Sequence, residues 1–161
     1  MKPSSRDQRF VAVHRGGQLD QVRHRLLASW AADCGEHVMP LLQRVSTDPR
    51  CEEAISVGRA WSRGEVPVGE AQKASVACHA LARELGDPAA VAAVRACGHA
   101  VATAHFADHS LRAAMYALRA VESPEEEYAW QLACLPDEVR ELLTDRMARC
   151  FPEKLRKPEV K

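Results

Sequence analysis

Prolines mark out this chain. Asp48-Pro49, Asp87-Pro88, Ser123-Pro124 and Leu135-Pro136 each place a proline where a helix can begin, mostly with a capping side chain directly before it. At the first helical position proline costs little, because that amide has no intrahelical partner. Deeper in a helix or a sheet it removes a donor that is needed. Between these marks apolar residues recur every three or four positions, and period-two alternation never lasts long enough for a strand.

The segments follow from the marks. Leu19, Val22, Leu26, Trp30, Cys34, Val38, Leu41 and Val45 line one face of a long first helix, which Pro40 should kink or interrupt. A second helix opens at Asp48-Pro49 and ends near Gly64, and a third covers about 68–85, stopped by Gly86. Asp87-Pro88 opens an alanine-rich fourth helix. Ser123 and Glu126 are spaced as a capping box for a further one. Leu135-Pro136 ends that helix and starts another through Val139, Leu142, Leu143 and Met147. The expected fold class is all-α: a single compact array of six or seven helices, antiparallel and bundle-like, over 19–150. An irregular arm over 1–18 precedes it and a loose charged tail over 151–161 follows. The apolar residues, 47% of the chain, are mainly Ala, Leu and Val, which lets helices pack closely.

Charge excludes some partners. Lys and Arg total 22, as do Asp and Glu, so no global field draws the chain to nucleic acid or anionic lipid, and neither is an expected partner. No apolar run reaches the length of a bilayer span, and "MKPSSRDQRF" lacks the apolar core of a secretory signal, so a cytoplasmic location is expected. Cys34, Cys51, Cys78, Cys97, Cys134 and Cys150 form no C-x-x-C pair. They read as reduced, mostly buried small apolar residues and not as zinc ligands.

The densest chemistry is "GHAVATAHFADHS", Gly98 to Ser110. On a helical wheel His105 and His109 fall on the stripe of Val91, Val94, Gly98 and Val101, with His99 at its edge. Arg112 lies on the same line, so the helix should break between Ala107 and Leu111, with Asp108 or Ser110 capping the restart and His105 mostly buried. A buried histidine here could donate to a carbonyl freed by the break. His105 and His109, with Asp108, could instead form a pocket with a general base, or ligate a metal at i, i+4. No third ligand lies at metal-site spacing, so no specific metal and no cofactor are expected. Packing of the third helix on the fourth would bring His79 near His99. Arg15 with Gly16 and Gly17 could cradle an anion, though such a glycine pair is more often a turn. Trp30, Trp61 and Trp130 read as core anchors, and "PEEE" as ordinary first-turn acids.

Several stretches resemble the bacterial immunity-protein family associated with polymorphic toxin systems. They are "HRGGQL", "LLASWAADCGEHVMPL", "DPRCEEAISVGRAWSRGEV", "ACHALAREL", "GHAVATAHFADHSLRAAMYALRA" and "YAWQLACLPDEVRELL". The resemblance covers about residues 9–143. It implies an all-helical domain and carries no catalytic residues to transfer. In the family pattern the first glycine pair, Trp30, Trp61, the His105 region and Trp130-Gln131 recur, while Cys51, Cys78 and Cys97 are additions of this chain. The function it implies is a binding protein that neutralises a cognate toxin by steric occlusion, using a rigid scaffold and an exposed patch. The neutral charge argues against a nuclease gripped electrostatically. The residues also leave open a cofactor-independent lyase, cyclase or isomerase acting on a small apolar metabolite. It would use His105 or His109 as base, assisted by Asp108 or Tyr116, with Arg15, Gly16, Gly17 and His99 as candidate binding residues.

Overall fold

The computed structural model describes residues 6–150. Seven helices follow in order: α1 (Gln21–Gln43), α2 (Arg50–Ser62), α3 (Val68–Glu84), α4 (Pro88–Ala102), α5 (His109–Ala120), α6 (Pro124–Cys134) and α7 (Asp137–Cys150). There is no strand among the described residues, only an isolated bridge between Ala12 and Leu19. The tail expected over 151–161, residues 1–5 of the arm and the side chain of Cys150 lie outside the described residues.

Helix starts follow the capping logic in part. Asp87 accepts from the Ala90 amide at 2.8 Å, one turn behind Pro88. Asp20 does the same for Arg23 at the head of α1. Asp48 instead accepts from the Arg50 amide and pairs with its guanidinium. The expected capping box at Ser123 does not form, since Ser123 makes no side-chain cap bond. Pro124 and the first-turn acids Glu125 and Glu126 remain to favour that start. Pro40 does not interrupt α1, because it falls in the last turn and leaves only one ladder bond unmade. Val22 and Val45, expected on the buried stripe, are 69% and 52% exposed. The buried face runs instead through Leu27, Ala31, Cys34, Val38 and Leu42.

α4 is the central element and packs against α1, α2, α3 and α5. From Ala90 to Val101 nearly every residue is buried, as in a helix with no solvent face. Small residues make this possible. A Cβ on Gly35 of α1 would lie 2.9 Å from Ile55 Cδ1 and 3.3 Å from the Cys97 Cα, so only glycine admits that approach. One apolar cluster joins α1 to α2, α3 and α4 through Leu42, Ile55, Leu81, Val94 and Val101. A second joins α1 to α5, α7 and the arm through Leu27, Trp30, Leu118, Leu143 and Phe10. Cys34, Cys51, Cys78 and Cys97 are buried and free, and Cys134 is half-buried and free. Burial pushes the Cys34 thiol well above its ordinary value.

The arm is more structured than expected. Two 3-10 turns, Gln8–Phe10 and Val13–Arg15, fold it back so that Phe10 and Ala12 are buried. Gly16 takes a left-handed φ of 89°. A Cβ on Gly17 would sit 2.1 Å from the Val11 carbonyl oxygen.

Candidate functional site

α4 ends at Ala102 and the chain turns over residues 103–108, so the break begins earlier than the expected window of Ala107 to Leu111. Thr103 Oγ1 donates to the His99 carbonyl at 3.1 Å, and the amides of Ala104 and His105 close tight turns onto Val101 and Ala102. Neither expected cap acts at the restart. Asp108 makes no side-chain cap bond, and buried Ser110 donates its hydroxyl to the Ala107 carbonyl at 2.6 Å. The amides of His109, Ser110 and Leu111 are satisfied by backbone carbonyls of the turn.

A buried histidine does serve a carbonyl at this break, but it is His24 of α1 and not His105. Its Nε2–H donates to the Thr103 carbonyl at 2.6 Å, and its ring tilts against Trp61 at 4.7 Å between centroids. Burial holds its pKa below the ordinary value. His105 lies past the end of α4 and is half-buried, not mostly buried, because the helical wheel no longer applies there. Its Nδ1 accepts from Gln72 Nε2 at 3.0 Å, with Arg15 Nη2 at 3.4 Å. Partial burial, then Arg15 and Arg6, hold its pKa down.

Within the stretch from Gly98 to Ser110 the most buried imidazole is His99, only 9% exposed, although the wheel put it at an edge. A helix buried all round has no edge. His99 and His109 share a hydrogen bond between their Nδ1 atoms at 2.9 Å, one neutral ring donating to the other. Tyr116 stacks on His99 at 5.3 Å and 6°. α3 brings His79 edge-on to His99 at 4.9 Å. Arg95 Nη1 donates to His79 Nδ1 at 2.7 Å, and the His79 ring rests where a Cβ on Gly98 would be, 2.9 Å away. Burial, then Arg95 and His109, push His79 down to about 4. Burial, then His79 and His109, push His99 down to about 3. Burial also lowers His109, against a partial opposing pull from Asp108. At neutral pH the cluster is therefore a set of uncharged imidazoles, and the charge around it belongs to arginines.

The other candidates take ordinary places. Asp108 lies 4.0 Å from Arg6 Nε. Arg119 packs over the Tyr116 ring at 5.1 Å. The amides of Gly16 and Gly17 donate to the Val13 and Ala12 carbonyls, so both are committed within their turn. Among the described residues no carboxylate hydrogen-bonds to His99, His105 or His109, the orientation that a carboxylate-held general base requires. Among the same residues no group of His, Cys, Asp or Glu side chains is placed to hold a metal ion. Open concavities lie elsewhere. One of about 490 Å³ opens between α1 and α2 beside Glu36, Met39 and Ile55, and one of about 390 Å³ lies beside His24, Trp61 and Val13.

One pairing leaves little signal in the sequence. Glu127 of α6, which reads as a first-turn acid, is 4% exposed and its Oε2 lies 2.6 Å from His37 Nδ1. Trp130 stacks on His37 at 3.6 Å, and Gln131 donates to the Ala114 carbonyl. Trp130 is thus half-buried over an imidazole, whereas Trp30 is fully buried and donates to the Gln131 carbonyl at 3.0 Å. The only available hint was the inward spacing of Glu127 and Gln131, one turn apart.

No described helix is long and apolar enough to cross a membrane. No curated protein and no solved structure matches the chain. A family model does match, over residues 17–138, which takes in α1 to α6, the turn at 103–108 and every imidazole of the cluster. The chain belongs to the family described as Imm-5 like putative immunity protein.

Proposed function

We propose that this protein is an immunity module that neutralises a cognate toxin by binding and occluding it. The observation that carries this reading is family membership over residues 17–138. The packing supports it physically. A central helix buried over most of its surface makes a stiff scaffold, and stiffness lowers the entropy lost when a surface docks. The imidazoles hydrogen-bond to one another, to a glutamine and to guanidinium groups, which suits a positioned surface better than proton transfer.

The test is co-expression with a candidate toxin taken from the genes neighbouring its own. Cells producing both should grow, and the two proteins should co-purify as a stoichiometric complex. Growth arrest at equal expression, with no complex on size exclusion, would reject the reading.

A further inference from the structure

Formal neutrality hides an uneven distribution of charge. Across much of the surface arginines are matched to carboxylates: Arg9 with Asp7, Arg50 with Asp48 and Glu84, Arg59 with Asp33 and Glu36, Arg63 with Glu65, and Arg140 with Asp137. Around the histidine cluster this matching stops. Among the described residues Arg15, Arg83, Arg95, Arg112 and Arg119, like Arg25 and Arg44 elsewhere, have no carboxylate within 4.0 Å. Arg15, Arg83, Arg112 and Arg119 are exposed.

These arginines gather around the imidazoles, some by contact and Arg83 and Arg112 through their charge. Arg119 covers Tyr116, which stacks on His99; Arg112 acts on His99 and His109; Arg95 and Arg83 act on His79. Arg15 and Arg6 sit over Phe106, 4.7 Å and 3.5 Å from its centroid, and flank His105. Two acids border the face: Asp108, 4.0 Å from Arg6, and Glu84, which feels the charge of Arg83 but bonds to Arg50. We propose that the face formed by the turn at 103–108, α5 and the exposed side of α3 is a docking surface for an acidic segment of a protein partner. Taking that partner to be a protein rests on the immunity reading.

Charge and chemistry support that occupant. Guanidinium forks without a carboxylate partner match carboxylates in paired geometry, and Arg and Tyr are the residues that concentrate binding energy at protein interfaces. A nucleic acid fits less well. Its bases would need open aromatic faces, and here Phe106 and Tyr116 already lie under guanidinium groups while His99 is stacked. The chain's zero net charge also supplies no long-range pull on a phosphate backbone.

The experiment uses the whole protein and a fluorescein-labelled poly-glutamate peptide, read by anisotropy at low salt and on adding NaCl. The peptide should bind, and binding should weaken with salt. A triple variant of exposed residues, Arg83→Glu, Arg112→Glu and Arg119→Glu, should weaken it about tenfold or more, as expected for reversing several unscreened surface charges. Arg23→Glu, whose own partner is the cap Asp20, should change it little. Circular dichroism checks that the triple variant is folded. If that variant is misfolded, Arg112→Glu alone decides, with a loss of about threefold expected. No binding, equal binding by the variants, or tighter binding of an oligo-dT strand than of the peptide would overturn the proposal. The co-expression assay separates the two readings. If the triple variant protects cells as well as the parent, the surface assignment falls and immunity stands. If the parent binds the peptide but protects no cell, immunity falls and the surface stands.

Discussion

The histidine cluster makes stability depend on pH in a defined window. His79 and His99 are held at about 4 and about 3, against an ordinary value of 6.5. In the folded chain both rings therefore stay neutral down to about pH 5, whereas in the unfolded chain they take up protons below 6.5. The unfolded state binds more protons, so stability falls as pH falls, and it is intact above 6.5. Each ring loses about 1.4 kcal/mol per pH unit across that window, or about 2 kcal/mol at pH 5. Together the two give about 4 kcal/mol, reduced to about 2–4 by local solvent relaxation, out of a total of about 5–15 for a domain. The lowered carboxylates Asp7, Asp48, Glu65 and Glu84 titrate below this window, while His24, His105 and His109, lowered in the same direction, add to the fall and remain in the double variant below. Urea unfolding followed by tryptophan fluorescence at pH 7.5, 6.0 and 5.0 measures the loss. The double variant His79→Gln, His99→Gln should be less stable at pH 7.5 but much flatter between 7.5 and 5.0. Unchanged midpoints in the parent across that range, or an equally steep fall in the double variant, would refute the reasoning.

Two further outcomes are expected. Trp30→Ala should cost about 3–5 kcal/mol, since a ring that is 1% exposed leaves both a cavity and an unpaired Gln131 carbonyl, and a thermal melt shifted by less than two degrees or so would contradict this. His24→Phe keeps most of the volume but removes the donor to Thr103, so it should cost about 1–3 kcal/mol, with His24→Gln recovering part of it. Equal stability of the Phe variant and the parent in urea would mean that the Thr103 carbonyl has another partner.

What the sequence made legible was local. Asp87 followed by Pro88 forms its cap within one turn, so α4 starts where the pattern places it. The failures are those in which partners lie far apart in the chain. The helical wheel ranks His99 below His105 because it assumes one wet face. α4 has none, and α3 covers the side on which His99 lies. The freed carbonyl of Thr103 was foreseeable from the break, but its partner sits 79 residues earlier on α1. Glu127 looks like its neighbours Glu125 and Glu126 until α6 turns it toward His37, 90 residues away.

The division between imidazole and guanidinium gives the face a property that composition alone would not suggest. A surface charged by histidines would fade as pH rises through neutrality. Here the imidazoles are buried or half-buried and neutral, and the charge lies on groups that do not titrate in water. The attraction of the face for acid is thus constant across physiological pH, while the imidazoles beneath fix where the guanidinium groups stand. Arg95 is set by His79, and Tyr116 beneath Arg119 is set by His99. Arg6 and Arg15 come from the arm, ahead of the segment that the family model matches. Their place over Phe106 depends on the Gly16-Gly17 turn that folds the arm back. The two arm arginines are therefore separable in sequence from the helical core, while Arg83, Arg112 and Arg119 stand on its helices. Charge on the face can change at exposed positions such as Arg15, Arg83 and Arg112 with little effect on packing, which is the freedom a binding module needs to match a particular partner.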